Sequence, residues 1–428
     1  MAGANVILNR LCDLQGTNFE VIDCQIKEDE IVWKIAHKQE AIYICSRCGA
    51  ENHACHDSRW ITLWDVPFGK KNCKWLVKRA RILCSCSMGV YVEKISFRSK
   101  HHKLTQRFVD YIEQVLCSKM FTVADVSRLF DLDYSTIYKI DHEVLLRLIQ
   151  ELKIPDPINI AVDEKSFKKG HNYVTVVTDC DLKKVIWVSE GNTKDSLDQF
   201  FKILGPERCA KIRTVSKDLH APYAASCAVH VPQAIEVPDP FHVVKKLNET
   251  MDDCRKELSV GSILPINKRK AIFRLNWVLR YKQVNQSDKN IASLTELAKI
   301  NEPLYLAYLH KESFYDFFNF KPIEIKAAEN FLISWIVDAF KSKLKALQEF
   351  AEYIKRNTKL LLNIILTGRS SAISEGINRK IQVIKSMAYG YRNLNYFMLK
   401  IMQRCGVLGS MWRPAGSLHT PKRLFITH

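Results

Sequence analysis

Several things are missing from this chain of 428 residues. No apolar run is long enough to span a bilayer, and no basic-then-apolar leader opens the sequence. Both absences argue against a membrane partner, so a cytoplasmic protein is the expectation. Acidic residues are the minority, with 46 Asp and Glu against 64 Lys and Arg, which leaves a formal charge of +18. A surplus of that size favours a polyanionic partner, nucleic acid first, and with it an association with the nucleoid. Cysteine is not scarce. Fourteen of them in a reducing compartment point to metal sites and buried thiols rather than to disulfides.

The stretch from Ile158 to Asp181 is the most informative. Ile158 to Asp163 is a short β-branched strand ending on a carboxylate, Lys165 to Gly170 makes a basic turn, and Tyr173 to Thr178 returns antiparallel. Lys184 to Ser189 is a third strand. A charge within such a sheet needs a partner, and a metal ion would supply one; the alternative is that Asp163 caps a turn. Glu164 adjoins it but should point to the other face.

Upstream, Val21 to Lys34 has the alternation of a hairpin. Cys45-Ser46-Arg47-Cys48-Gly49 has the form of a zinc knuckle, and Cys84-Ser85-Cys86 follows a basic strand. Four thiolates, Cys45, Cys48, Cys84 and Cys86, would close one structural Zn2+ site of zinc-ribbon-like kind. The second pair is compressed by one residue, so His53, Cys55 and His56 remain candidate replacements. Apolar spacing then predicts a helix over Thr105 to Leu116, a second from Val123 to Phe130 capped by Thr122, and a third starting at Tyr134 after the turn Asp131-Leu132-Asp133. Two helices joined this way form a helix-turn-helix, with Ser135, Thr136 and Lys139 facing the major groove; an ordinary helical bundle is the alternative. Pro155 and Pro157 mark a boundary.

Beyond the meander, Thr193 to Leu204 is an amphipathic helix with Asp195 and Asp198 on its polar side. Lys211 to Ser216 is a fourth strand leading into Lys217-Asp218, Pro222 to Val229 a helix, and Ala234 to Val237 a fifth strand. The order βββαβαβ is that of an RNase H-like mixed sheet, in which the first and fourth strands are neighbours. Asp163 and Asp218 would then face one gap, as two divalent ions require. Asp239 and His242 follow the fifth strand at the head of a helix, where His242 either orients a group near the site or packs beneath the helix. Residues 259–370 are helical in pattern and carry no repeat. Trp335 reads as core, whereas Trp277, with Arg274, Arg280 and Lys282 near it, is a weak candidate for a DNA contact. Gly368 to Ser371 makes a polar turn into a helix bearing Glu375, with Asn378 and Arg379 on the same face.

The blocks Val162-Asp163-Glu164, Ser216-Lys217-Asp218, Pro238-Asp239-Pro240-Phe241-His242, Ser374-Glu375-Gly376-Ile377-Asn378 and Tyr389-Gly390-Tyr391-Arg392-Asn393 resemble those of bacterial insertion-sequence transposases of the IS-L3 family, over nearly all of residues 40–400. The resemblance implies an Asp-Asp-Glu triad of Asp163, Asp218 and Glu375 holding two Mg2+ (or Mn2+) ions, with Asp239 and His242 in support. It also implies DNA contacts by Asn378, Arg379 and Arg392, and double-stranded DNA, both element ends and target, as the partner of a dimer or larger assembly. The expected organisation is a zinc module over 1–100, a helix-turn-helix domain over 101–152, and a catalytic core over 153–258. A helical insertion (259–366), a final core helix with the Glu (367–404) and a tail (405–428) would complete it. Rival readings are a DNA-binding regulator derived from a transposase, and an RNase H-like nuclease without strand transfer.

Overall fold

The computed structural model describes residues 2–86, 89–101, 103–168, 172–260, 265–368 and 372–411. It divides into two compact units, one of residues up to Leu152 with the segment from Leu408, the other of Lys153–Val407. The basic turn at 169–171, the polar turn at 369–371 and the tail from 412 lie outside the described residues.

The first unit opens with α1 (Ala2–Leu11), β1 (Phe19–Ile26), β2 (Glu30–His37), β3 (Tyr43–Ile44), β4 (Glu51–Asn52), β5 (Asp57–Phe68), β6 (Lys71–Cys84) and β7 (Gly89–Val92). Five of these strands form one sheet in the order β1-β2-β6-β5, with β7 on the end of β6, while β3 and β4 make a small hairpin. The cysteine pairs of the expected zinc ribbon therefore lie at this small hairpin and at the end of β6, beside a larger sheet. Its main core surrounds the fully buried Trp75, with Phe19, Val21, Ile35, Leu63 and Val77; burial of that size gives the sheet a hydrophobic basis of its own. Helices α2 (Gln106–Cys117), α3 (Val123–Phe130) and α4 (Tyr134–Gln150) follow. Asp65, 1% exposed, accepts from Thr105 Oγ1 at 2.7 Å and Arg107 Nε at 2.8 Å, fixing α2 to β5.

In the second unit, β8 (Asn159–Lys168), β9 (Asn172–Asp179) and β10 (Lys184–Glu190) form a meander. Strand β8 runs four residues (168 − 164) past Glu164, so part of the segment expected to turn is extended. Helices α5 (Lys194–Leu204) and α6 (Pro206–Cys209) lead to β11 (Thr214–Lys217), α7 (Ala221–His230) and β12 (Ile235–Pro238). The sheet order is β10-β9-β8-β11-β12, antiparallel through the meander and parallel from β8 to β11 to β12. Ile160, Val162, Val177, Ile186 and Val215 pack against Leu197, Phe200 and Phe201 of α5 and Tyr223 and Cys227 of α7. Asp198 departs from its expected place on the polar side of α5. It is buried and bonded to Ser226 Oγ at 2.5 Å, Lys194 Nζ at 2.6 Å and His230 Nε2 at 3.2 Å, because α7 covers that face.

The rest of the unit is helical: α8 (Pro240–Val260), α9 (Ile266–Arg274), α10 (Asn276–Arg280), α11 (Asp288–Ile300), α12 (Glu302–Phe314), α13 (Ile325–Lys341), α14 (Lys345–Arg356), α15 (Thr358–Thr367), α16 (Ala372–Met387) and α17 (Leu394–Arg404). Helix α8 contributes Val243, Leu247 and Met251 to a core shared with Phe314, Trp335, Phe350 and Leu361. Trp335 is 3% exposed, as a core residue should be. Helix α15 borders the β12 edge, where Asn363 Nδ2 donates to Glu236 O at 2.8 Å. At the other edge Gly406 bridges Val185; a Cβ there would meet Val185 O at 2.5 Å, so only glycine allows this approach.

Candidate functional site

Strands β8 and β11 are parallel neighbours with Val162 opposite Lys217. The next residue along each strand direction is an aspartate, so Asp163, within β8, and Asp218, just past the end of β11, lie at the same level. Val162 lies in the core beneath α5 and α7, and alternation sends Asp163 to the other face. Glu164 sits on the Val162 side, where its Oε2 accepts from Asn192 Nδ2 at 2.7 Å.

The Asp163 Oδ1 atom accepts from the Glu164 amide at 2.7 Å. Its Oδ2 takes two further partners, Asn378 Nδ2 at 2.7 Å and Lys165 Nζ at 2.9 Å. Asp218 is more open; its Oδ1 accepts from the Leu219 amide at 2.7 Å and its Oδ2 lies 3.3 Å from His242 Nδ1. Asp239 is 6% exposed and accepts the Phe241 amide at 2.9 Å at the head of α8. Burial raises its carboxyl above the usual carboxylate range, and the charges of Asp163 and Asp218 push the same way. Asp239 therefore lies within electrostatic reach of both aspartates. The Tyr353 hydroxyl of α14 is pushed up to about 12, first by burial and then by Asp218.

Glu375 stands apart from this group. Its carboxylate is about half exposed and pairs with Arg379 Nη2 at 3.4 Å. One turn further along α16, Asn378 reaches Asp163, and Lys385 Nζ donates to Ser166 O at 2.7 Å, so this helix lies along β8. Among the described residues, no three carboxylates bring their oxygens within 4.8 Å of one another. The structure thus joins Asp163 to the Glu375 helix through Asn378, without closing the triad itself. Arg392 is exposed between α16 and α17. Lys165 and Tyr353 were not anticipated. Lys165 was legible as the i+2 neighbour of Asp163 on an extended strand; Tyr353 had no local signal.

Cys45, Cys48, Cys84 and Cys86 bring their sulfurs within 4.8 Å of one another. Cys48 and Cys84 are 3.6 Å apart, near the roughly 3.8 Å edge of a tetrahedron with Zn–S bonds of about 2.3 Å. The Cys48 amide, ahead of the Arg47 amide, holds the Cys45 thiol down to about 7. This donor set fits a zinc ion. Two of the alternative ligands have other partners, Cys55 Sγ on Asp57 O at 3.0 Å and His56 Nδ1 near Asp57 Oδ2 at 3.3 Å, and none of His53, Cys55 and His56 joins the cluster. The one-residue spacing of the second pair suffices because Cys84 ends β6 and the chain turns there.

Helix α3 begins in a capping box between Thr122 and Asp125 and ends on Asp131 at φ 51°. This left-handed residue turns the chain sharply into α4. Ser135 and Lys139 are exposed on the first turns of α4, with Thr136 half-buried.

A family model described as Transposase, for DDE enzymes of the IS-L3 group, matches residues 160–401. The transposase for insertion sequence element IS1001 of Bordetella parapertussis is 30% identical, over 84% of this chain and 88% of its own length. The transposase for element IS1557 of Mycobacterium tuberculosis is 27% identical, over 87% and 89% respectively. The match defines the class as transposase, and the chain belongs to the IS-L3 family. No helix among the described residues is long and apolar enough to cross a membrane.

Proposed function

We propose that this chain binds the ends of its insertion sequence and catalyses DNA strand cleavage and strand transfer at Asp163, Asp218 and Glu375. The carrying observation is the level pairing of β8 with β11, together with the bond from Asn378 to Asp163 that brings the Glu375 helix alongside. The sheet order, antiparallel then parallel, supports an RNase H-like core into which the helical segment is inserted.

Asp163 and Asp218 supply hard oxygen donors that suit magnesium or manganese, with Glu375 the third donor after a side-chain movement. Bound there, two such ions would supply Lewis-acid activation of the nucleophile and of the leaving oxygen. Asn378 orients Asp163, and His242 orients Asp218. In the first reaction water attacks a phosphodiester at the element end; the new P–O bond forms as the bond to the 3′ oxygen breaks, freeing a 3′-hydroxyl. That hydroxyl then attacks a target phosphodiester, so bond number is conserved and no nucleotide cofactor is needed.

Helices α3 and α4 support a helix-turn-helix that reads the ends through Ser135, Thr136 and Lys139, with Arg379 and Arg392 as further contacts to DNA. The four cysteines support one structural zinc ion, and the basic charge supports DNA as partner of an assembly of more than one chain. The test uses end DNA, magnesium and pre-cleaved ends. Asp163→Asn, Asp218→Asn and Glu375→Gln should each abolish cleavage and joining together while end binding persists. Glu164→Gln serves as a control. Wild-type cleavage by Glu375→Gln would remove Glu375 from the triad and direct attention to Asp239.

A further inference from the structure

From Leu258 to Ser287 the sequence contains no Asp or Glu, yet it holds six Lys and Arg. Helices α9 and α10 occupy this stretch. Their inner face is fixed by Ile272 and Leu279, both 1% exposed or less, and by α8, where Arg255 donates to Phe273 O at 3.2 Å and Asp252 lies 3.6 Å from Arg280. Three aromatic residues follow at four-residue spacing, Phe273 in α9, Trp277 in α10 and Tyr281 just past its end. Phe273 is 65% exposed, Trp277 64% and Tyr281 52%. Rings this open are not needed by the core, and solvent exposure of such apolar area marks a binding surface.

Charge indicates what binds. Lys268, Lys270 and Arg274 are exposed on the same arm, and no acid of its own stretch offsets them. The Arg280 guanidinium lies 5.6 Å from the Trp277 ring and that of Arg255 lies 4.7 Å from the Phe273 ring, so cations already hold the aromatics in place. Exposed rings interleaved with cations form a stacking platform for bases within a groove for phosphates. Paired bases are stacked on one another and offer no free face. The matching partner is a DNA strand with unpaired bases. The same arm of a second copy would bring like charge against these lysines and arginines and be repelled.

We infer that Phe273, Trp277 and Tyr281 form a stacking surface for single-stranded DNA, flanked by phosphate contacts from Lys268, Lys270 and Arg274. The surface is built on the same helix that carries His242 to Asp218, thirteen residues (255 − 242) or ~20 Å further along α8. The inference deepens the transposase reading and rests on it, since strand cleavage is what would expose unpaired bases at an element end.

The test is fluorescence anisotropy of the full chain, without magnesium, on a short oligothymidine and on a duplex of equal length. Replacing Phe273→Ala, Trp277→Ala and Tyr281→Ala together should weaken oligothymidine binding about tenfold or more and duplex binding far less. Trp277→Phe should retain most affinity, because a ring remains. Replacing Lys268→Ala, Lys270→Ala and Arg274→Ala should weaken both and flatten the single-strand salt slope by about 2. Wild-type oligothymidine affinity in the aromatic variant would overturn the inference, as would equal losses on both DNAs. So would light scattering that finds a DNA-free dimer in the wild type and a monomer in the variant, which would make the rings an interface between copies. Joining assays with magnesium remain separate: inactive wild-type protein with intact ring-dependent binding would sink the transposase reading alone.

Discussion

Asn378 donates its side-chain amide to Asp163 Oδ2 at 2.7 Å across a sequence separation of 215 residues. With the bond from Lys385 to Ser166 O, this hydrogen bond fastens α16 to the central strand of the second unit. It also changes the reading of Asn378. Sequence resemblance put this residue among the contacts to DNA, whereas the structure shows its amide directed at a candidate metal ligand.

The first prediction concerns that bond. Asn378→Ala should leave binding of end DNA within about twofold yet lower cleavage by about 10–100-fold, the usual cost of removing a group that orients a ligand. A magnesium titration of cleavage checks it, and the half-saturating concentration should rise. Loss of end binding with unchanged magnesium dependence would return Asn378 to the DNA contacts.

Lys165 shares Asp163 Oδ2 with Asn378, at 2.9 Å. A divalent ion seated there must displace or repel the ammonium. Lys165→Met should therefore tighten manganese binding, measured by calorimetry without DNA, by about tenfold, the order of one partly screened ion pair. Weaker binding would mean that the lysine assists the site by some other route.

The cysteine cluster should carry one zinc ion per chain by elemental analysis, and Cys45→Ser should empty it while Cys55→Ser does not. Protons compete with metal for the four thiolates, so zinc retention against a chelator should fall as the pH drops from 7 to 5. Because Trp75 anchors a separate core, circular dichroism of the metal-free chain should retain most of its strand signal. A metal-free preparation with unchanged thermal stability would show that no ion is held.

Burial raises the carboxyl of Asp239. The folded state thus favours the neutral acid, so its contribution to stability is present below the unfolded carboxylate pKa and lost as pH rises through the raised value. Near neutral pH, without divalent metal, the charged group is a cost. Asp239→Asn should raise the melting temperature at pH 7–8, and the gain should vanish under acid conditions. A lower melting temperature at pH 8 would mean that a cation neutralises the carboxylate.

Much of the local structure was legible in the chain. Thr122 caps α3 because a short hydroxyl before an amphipathic run can accept from amides of the first turn. The five strands about Asp163 followed from β-branched runs separated by polar turns. Errors came where burial depends on a distant partner. Asp198 read as surface because its helix periodicity cannot reveal that α7 lies over it, with Ser226 and His230 completing its bonds.

By itself the sequence determined the family, since block residues such as Ser374-Glu375-Gly376-Ile377-Asn378 are chemistry written in order along the chain. It also determined the positive charge and the pairing of cysteines, which are properties of composition and spacing. Tertiary structure alone decided which oxygen of Asp163 is taken by Lys165 and Asn378, and that Asp239 stands in the electrostatic field of both other aspartates. It alone decided that Phe273, Trp277 and Tyr281 face outward. A carboxylate's environment and a ring's exposure depend on what packs against them, and periodicity along one helix or strand carries no record of the segments that fold back onto it.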